Sequence, residues 1–163
     1  MNGWEAKMST LIAYTTRYGS TEKCAQKIAE GLNGEVEMVN LKEKKNIELS
    51  PYNTVIIGGP IYMGKIQKEV AAFCSGNIDL LKNKKLGLFI CCMKEGEDAE
   101  TQLKDSFPEQ LFNKAVAKDY FGGEFNITKM IFLHRLIVKI LARVNKDTSN
   151  ILEDHIIRFR EAL

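Results

Sequence analysis

Residues 11–21 read Leu-Ile-Ala-Tyr-Thr-Thr-Arg-Tyr-Gly-Ser-Thr, and this stretch decides how the 163-residue chain folds. Its first four residues form an apolar run that predicts a buried strand, and a helical pattern begins near Thr21. The hydroxyl-rich turn over 15–21 would gather backbone N–H groups, side-chain hydroxyls and the positive end of a helix dipole. The pattern therefore predicts an anion site at a strand-to-helix turn, with an ordinary polar turn as the alternative.

The turn lacks the signatures of two common phosphate-binding loops. No Gly-Lys-Ser/Thr follows it, so it is not a Walker loop, and it lacks the three spaced glycines of a dinucleotide fingerprint. The predicted donors are the hydroxyls of Thr16, Ser20 and Thr21, together with the backbone N–H groups of residues 17–20.

The composition is that of a single globular domain over 1–163, with 45% hydrophobic residues, 27% charged residues and a net charge of +2. The first seven residues lack the apolar core of a secretory signal, and Met8 is a candidate natural start, so 1–7 is predicted to be an extension. No apolar run is long enough to span a membrane. These features predict a cytoplasmic protein.

All four cysteines, Cys24, Cys74, Cys91 and Cys92, stand in apolar helix or strand patterns and form no Cys-x-x-Cys pair. We interpret them as buried free thiols of a protein in a reducing compartment. The adjacent Cys91 and Cys92 would point to opposite faces of a strand, which argues against a shared metal. No metal site is predicted.

Strand and helix patterns alternate along the chain. Strands are predicted over 9–15, 35–40, 53–59, 86–93 and 116–121, and helices over 21–32, 66–74, 99–107, 109–113 and about 150–162. This alternation predicts an α/β fold with a doubly wound, five-stranded parallel sheet. In the strand order 2-1-3-4-5, the ligand crevice lies at the carboxyl ends of strands one and three.

The segment 122–146 is longer than the connection between the fifth strand and the last helix requires. From 125 to 146 it contains five Lys or Arg residues and no acidic residue. On a helix, Arg135, Lys139 and Arg143 would form a basic stripe opposite a broad apolar face. Residues 129–144 are therefore predicted to form a basic amphipathic helix. It could contact a membrane surface, pack on its own domain or pack on a second subunit.

Two further loops would lie beside the hydroxyl-rich turn at the same edge of the sheet. Residues 58–65 place Tyr62 among glycines, and residues 93–98 follow the fourth strand. An aromatic side chain beside glycines suits a flat ring that must stack at close range. Tyr62 is the candidate for stacking, and Lys65 could lie near the edge of such a ring or simply be solvated.

With its three loops, the chain resembles the flavodoxin superfamily over nearly its whole length. It resembles more closely the flavodoxin-type, menaquinone-dependent protoporphyrinogen IX dehydrogenases of bacteria. The shared motifs are Thr16-Arg17-x-Gly19-x-Thr21, Ile61-Tyr62-x-Gly64-Lys65 and a long insertion opened by Phe121-Gly122-Gly123. Within the insertion, His134-Arg135-Leu136-Ile137-Val138-Lys139-Ile140 resembles the basic-apolar helix of that family, and Asp147-Thr148 resembles its exit.

The resemblance implies FMN as cofactor, oxidation of protoporphyrinogen IX in heme biosynthesis, and electron transfer to a membrane quinone. It also implies a location at the inner face of the membrane. No catalytic side chain is predicted, because the flavin would supply the chemistry. The implied cofactor-binding residues are Thr15, Thr16, Arg17, Tyr18, Gly19, Ser20, Thr21, Pro60, Ile61, Tyr62, Met63, Gly64, Lys65, Met93, Lys94 and Glu95.

Two other functional classes compete with this interpretation. A soluble electron-transfer flavodoxin would shuttle electrons between protein partners, but such carriers are typically acidic, and this chain is slightly basic. A flavin-free receiver-like domain would need acidic residues where Thr15 and Thr16 stand. The expected partner is a small-molecule substrate or a redox protein; an oligomer is possible, and nucleic-acid binding is not expected.

Overall fold

The computed structural model describes residues 9–125 and 148–163. In chain order, its elements are β1 (Ser9–Tyr14), α1 (Ser20–Glu30), β2 (Glu35–Asn40), β3 (Thr54–Tyr62), β4 (Lys65–Ile66), α2 (Lys68–Gly76), α3 (Ile78–Leu81), β5 (Lys85–Cys91), α4 (Gly96–Asp105), α5 (Glu109–Lys114), β6 (Ala117–Tyr120), β7 (Gly122–Phe125), β8 (Thr148–Ile151) and α6 (Glu153–Ala162). None of the helices in these two ranges is long and apolar enough to cross a membrane.

The central sheet has the order β2-β1-β3-β5-β6, and these five strands are parallel. This is the predicted order 2-1-3-4-5. In the middle strand β3, Ile57 lies opposite Ala13 of β1 and Leu88 of β5. Its continuous apolar run is explained by burial on both faces of the sheet.

Helices cover both faces of the sheet and divide the core into two clusters. One cluster packs α2, α3, α4 and α5 on one face, and the other packs α1 and α6 on the opposite face. The four cysteines are free and buried, as predicted. Cys91 belongs to the α1 face and Cys92 to the α2 face, so their predicted opposite orientation is confirmed.

The third strand and the second helix differ from the prediction. Strand β3 continues through Pro60 to Tyr62 and pairs with β4 in a hairpin, so Ile66 is in a strand rather than in a helix. Pro60 is tolerated because pairing with β1 ends at Gly58, and only β5 continues beside it. Positive φ angles at Met63 and Gly64 form the two-residue turn that such a hairpin favours. Helix α2 therefore begins only at Lys68.

The predicted insertion is bounded by a two-stranded antiparallel ribbon, β7–β8. Gly122 pairs with Ile151, and Phe125 pairs with Thr148. The last helix therefore begins at Glu153 rather than near Asn150, because the preceding residues belong to the ribbon. The predicted amphipathic helix over 129–144 and the predicted extension over 1–7 lie outside the described residues.

Candidate functional site

A cleft opens where β1, β3 and β5 end, at the edge of the sheet where the strand order reverses. The three loops predicted from the sequence meet there. The cleft is lined by Arg17, Tyr18, Ser20, Thr21, Pro60, Ile61, Tyr62, Cys91, Cys92, Met93 and Gly123. Eight of these eleven were predicted as cofactor-binding residues, and they come from three separate parts of the chain.

The turn before α1 is shaped by Gly19 and Thr16. Gly19 is the N-cap of the helix and has a left-handed backbone with φ of 97°. Its N–H donates to Thr16 Oγ1 at 2.9 Å, and Lys42 Nζ donates to the Thr16 carbonyl at 3.2 Å. Because no side chain within residues 9–125 and 148–163 caps this helix, none of these side chains competes with an anion for the first-turn N–H groups.

Two threonine hydroxyls near the turn are buried and have no hydrogen-bond partner within the described residues. Thr21 Oγ1 is one of them, and Thr21 lines the cleft. Thr15 Oγ1 is the other, but Thr15 does not line the cleft: a Cβ on Gly59 would lie 2.9 Å from this oxygen and 3.1 Å from Val70. A buried hydroxyl without a hydrogen bond costs about 1–3 kcal/mol of folding free energy. A phosphate oxygen bound in the cleft would accept a hydrogen bond from Thr21 Oγ1 and remove this cost.

Arg17 covers the ring of Tyr62. The guanidinium carbon lies 3.8 Å from the ring centroid, and Arg17 Nε donates to Tyr18 Oη at 3.4 Å. This cation–π contact covers one face of the Tyr62 ring. A flavin that uses this face must displace the guanidinium.

The cleft is small while the Arg17 guanidinium lies on the ring of Tyr62. It encloses about 90 Å³, which is less than a ligand-sized pocket of roughly 300–1,000 Å³. A neighbouring cavity of about 350 Å³ shares Arg17 and Tyr62 with the cleft and also contains Lys42, Lys65 and Lys68. The two spaces therefore adjoin at Arg17 and Tyr62, and the volume of about 90 Å³ is that of the cleft with Arg17 on Tyr62.

The other predicted residues lie around the cleft rather than in its lining. Thr16 and Gly19 shape the turn, Met63 and Gly64 form the exposed tip of the hairpin, and Lys65 lines the neighbouring basic cavity. Around the third loop, the Lys94 carbonyl accepts from Cys92 Sγ at 3.5 Å, and Glu95 is the N-cap of α4. The binding roles predicted for these residues stay predictions.

Sequence reasoning missed Cys91, Cys92 and Gly123 as lining residues. The two cysteines could have been found, because they end a predicted strand at the edge where ligands bind. Gly123 reaches the cleft only because the β7–β8 ribbon folds back over it. A Cβ on Gly123 would lie 3.0 Å from Met93 Sδ, so glycine permits this close approach.

The cleft contains no activated thiolate. The pKa of the Cys91 thiol is held well above its ordinary value, because its S–H donates to Cys24 Sγ at 3.7 Å and because it is buried. Burial also raises the pKa of Cys92.

Across the described residues, no three His, Cys, Asp or Glu side chains converge in an arrangement that could hold a metal ion.

The profile of the flavodoxin domain matches residues 11–151, and the chain therefore belongs to the flavodoxin-domain family. Among solved structures, flavodoxin 2 of Bacillus cereus is 23% identical with a TM-score of 0.55, over 71% of this chain and 84% of that one. Flavodoxin 1 of Bacillus cereus is 16% identical with the same TM-score and the same coverage. No curated protein matches this chain.

A larger protein also contains this fold. Rubredoxin oxygen:oxidoreductase from Desulfovibrio gigas is 20% identical with a TM-score of 0.54 over 98% of this chain. This chain spans only 39% of that protein. At such identities these similarities show a shared fold.

A flavodoxin domain uses FMN, and the residues of this cleft fit that cofactor. An uncapped helix start and the unpartnered Thr21 hydroxyl suit the phosphate, and Tyr62 offers an aromatic face beside it. When bound, FMN supplies electron transfer, while the chain binds and orients it. The chain is an FMN-binding redox protein.

Replacing Thr21 by valine is expected to weaken FMN binding about 5- to 30-fold, which corresponds to about 1–2 kcal/mol for a lost hydrogen bond to a charged group. The apoprotein should be as stable as the wild type or more stable, since an unsatisfied buried hydroxyl is removed. Fluorescence titration of FMN and urea unfolding measure the two effects. Thr15→Val removes an equally buried hydroxyl outside the cleft lining and is the matched control. Unchanged FMN affinity in Thr21→Val would contradict the placement of the phosphate.

Proposed function

We propose that the chain is an FMN-dependent oxidoreductase that oxidises protoporphyrinogen IX and passes the electrons to a quinone. The observation that carries this proposal is the position of the β7–β8 ribbon. Segment 126–147 begins and ends in that ribbon, and Gly123 of the same ribbon lines the cleft. One strand that bounds the insertion therefore reaches the cleft, which supports a role for this segment beside the bound cofactor.

The ribbon is anchored to both the core and the third loop of the cleft. Phe121, immediately before β7, is fully buried and stacks on Phe89 with ring centroids 5.0 Å apart. On the returning strand, Asn150 Nδ2 donates to Glu95 Oε1 at 3.4 Å. These contacts fix the entry and exit of the insertion relative to the cleft, as a substrate-handling segment requires.

The charges beside the cleft favour an anionic substrate. Arg17, Lys42, Lys65 and Lys68 line the neighbouring cavity, and among the described residues Glu69 is the only acidic residue of the lining. Protoporphyrinogen has two propionate carboxylates, which such a cavity would attract. An electron carrier for basic protein partners would need the opposite charge.

Replacing residues 126–147 by Asn-Gly tests the proposal. Phe125 and Thr148 are directly paired, so a two-residue turn can close the ribbon without changing its register. We expect FMN affinity to stay within about threefold of the wild type. Anaerobic reduction of the holoprotein by protoporphyrinogen IX should slow by at least about 100-fold. Stopped-flow absorbance with and without a menaquinone analogue measures it.

The full-length holoprotein is the control, and reduction of both proteins by dithionite shows that the bound flavin remains accessible. If the shortened protein is reduced by protoporphyrinogen IX as fast as the full chain, the insertion has no role in this reaction. If neither protein reacts with the substrate but both exchange electrons with redox proteins, the chain is an electron-transfer flavodoxin. Failure to retain FMN after desalting would remove the basis of both functions.

A further inference from the structure

Two buried thiols contact each other beneath the cleft. Cys24 Sγ of α1 and Cys91 Sγ at the end of β5 lie 3.7 Å apart, although the two residues are 67 positions apart in sequence. Cys24 is fully buried, and Cys91 is 3% exposed at the bottom of the cleft. A disulfide requires an S–S distance of about 2.05 Å, so the two sulfur atoms, which are now in contact, must move closer before a bond can form.

The other two cysteines are separated from this pair. Cys74 on α2 and Cys92 belong to the core cluster on the opposite face of the sheet. Cys92 Sγ donates instead to the Lys94 carbonyl. If Cys91 is oxidised, Cys24 is therefore the thiol placed to react with it.

The position of the pair connects it to the cofactor site. Cys24 lies one turn after Thr21 on α1, and Thr21 and Cys91 both line the cleft. A bond between Cys24 and Cys91 would tie α1, one turn after Thr21, to the end of β5. Both elements contribute lining residues to a cleft that encloses only about 90 Å³.

We propose that Cys24 and Cys91 are a redox-active pair, reached by hydroperoxides through the cleft, whose disulfide restricts entry of FMN. In the first step, the small ionised fraction of Cys91, which its raised pKa keeps low, attacks a peroxide oxygen; the S–O bond forms, the O–O bond breaks, and water leaves after protonation. In the second step, Cys24 attacks the Cys91 sulfur, the S–S bond forms, and the sulfenic oxygen leaves as a second water. Two thiols and one hydrogen peroxide thus give one disulfide and two waters.

Bound FMN would cover the cleft side of Cys91 and protect it. The test treats the native full-length protein with hydrogen peroxide, with and without FMN, at about pH 8.5, where the thiolate fraction is higher than at neutral pH. Unreacted thiols are then labelled with a maleimide under denaturing conditions and counted by mass spectrometry. The four cysteines give four labels before oxidation.

We expect the oxidised apoprotein to carry two labels and a Cys24–Cys91 cross-linked peptide, both reversed by dithiothreitol. FMN-loaded protein should react at least about tenfold more slowly. Cys24→Ser should form no disulfide, whereas Cys74→Ser should form it normally and is the matched control. FMN association with the oxidised wild type should be at least about threefold slower than with the reduced protein. The rate of FMN association with peroxide-treated Cys24→Ser shows whether slower association requires the disulfide.

Four labels after oxidation, or a cross-link through Cys74 or Cys92, would overturn the proposed pair. Equal oxidation rates with and without FMN would overturn the cleft as the route. An unchanged rate of FMN association would overturn the restriction of entry. The label count is independent of substrate oxidation, so this result stands or falls separately from the proposed dehydrogenase activity.

Discussion

Replacing Gly122 by alanine is expected to lower the free energy of unfolding by about 2–4 kcal/mol. Gly122 has a left-handed backbone with φ of 73°, and a Cβ at this position would lie 2.0 Å from the backbone oxygen of Asn150. That oxygen belongs to the facing strand of the ribbon, so the steric clash is relieved only if the two strands move apart. Because the neighbouring Gly123 lines the cleft, we also expect the proposed oxidation of protoporphyrinogen IX to decrease more than the affinity for FMN.

Gly96→Ala separates the steric effect from the conformational one. Gly96 also has a positive φ, 59°, but nothing lies within 4 Å of a Cβ built there. Its substitution should cost only the left-handed backbone penalty of about 1–2 kcal/mol. Urea unfolding of both variants measures the difference. If the two variants are equally destabilised, the Gly122 ribbon contact contributes nothing beyond backbone strain.

Replacing Asp119 by alanine is expected to destabilise the protein by about 2–3 kcal/mol. The Asp119 side chain is 8% exposed and accepts from His155 Nδ1 at 2.7 Å and from Arg158 Nε and Nη2 at 3.1 and 3.0 Å. These bonds attach α6 to β6. The expected loss lies below the 3–5 kcal/mol of a fully buried pair, since Arg158 is 64% exposed and water can solvate it.

Asp79→Ala is the control for this effect. Asp79 pairs with Lys82 at 3.2 Å but is 93% exposed, and we expect no measurable change in stability. Urea or thermal unfolding compares the two aspartates under identical salt conditions. Equal stability of Asp119→Ala and Asp79→Ala would mean that the buried cluster does not hold α6 in place.

The sequence allowed the sheet to be predicted because its signals are local. The apolar run Val55-Ile56-Ile57 marks the middle strand, and alternating helix patterns imply parallel crossovers. The hydroxyl-rich turn likewise occupies consecutive residues. The cleft could therefore be located from its three loops before any contact was known.

The contacts that were missed join residues far apart in sequence. Gly122 pairs with Ile151 across the ribbon, and Asp119 bonds His155. Cys24 contacts Cys91. No periodicity or short sequence motif specifies such pairs. The β3–β4 hairpin was missed for a different reason. Its turn places Met63, a residue other than glycine, at positive φ, and its second strand is only two residues long.

The β7–β8 ribbon has a consequence for how this protein could have acquired its function. Because Phe125 and Thr148 are already paired, any chain inserted between them starts and ends at neighbouring points. Doubling the length of such a loop costs only about 0.6 kcal/mol of closure entropy. An ancestral electron carrier could therefore gain, lengthen or exchange a recognition segment without changing its strand order or its cofactor loops. The loop that sets specificity could then change in evolution independently of the strands that form the fold.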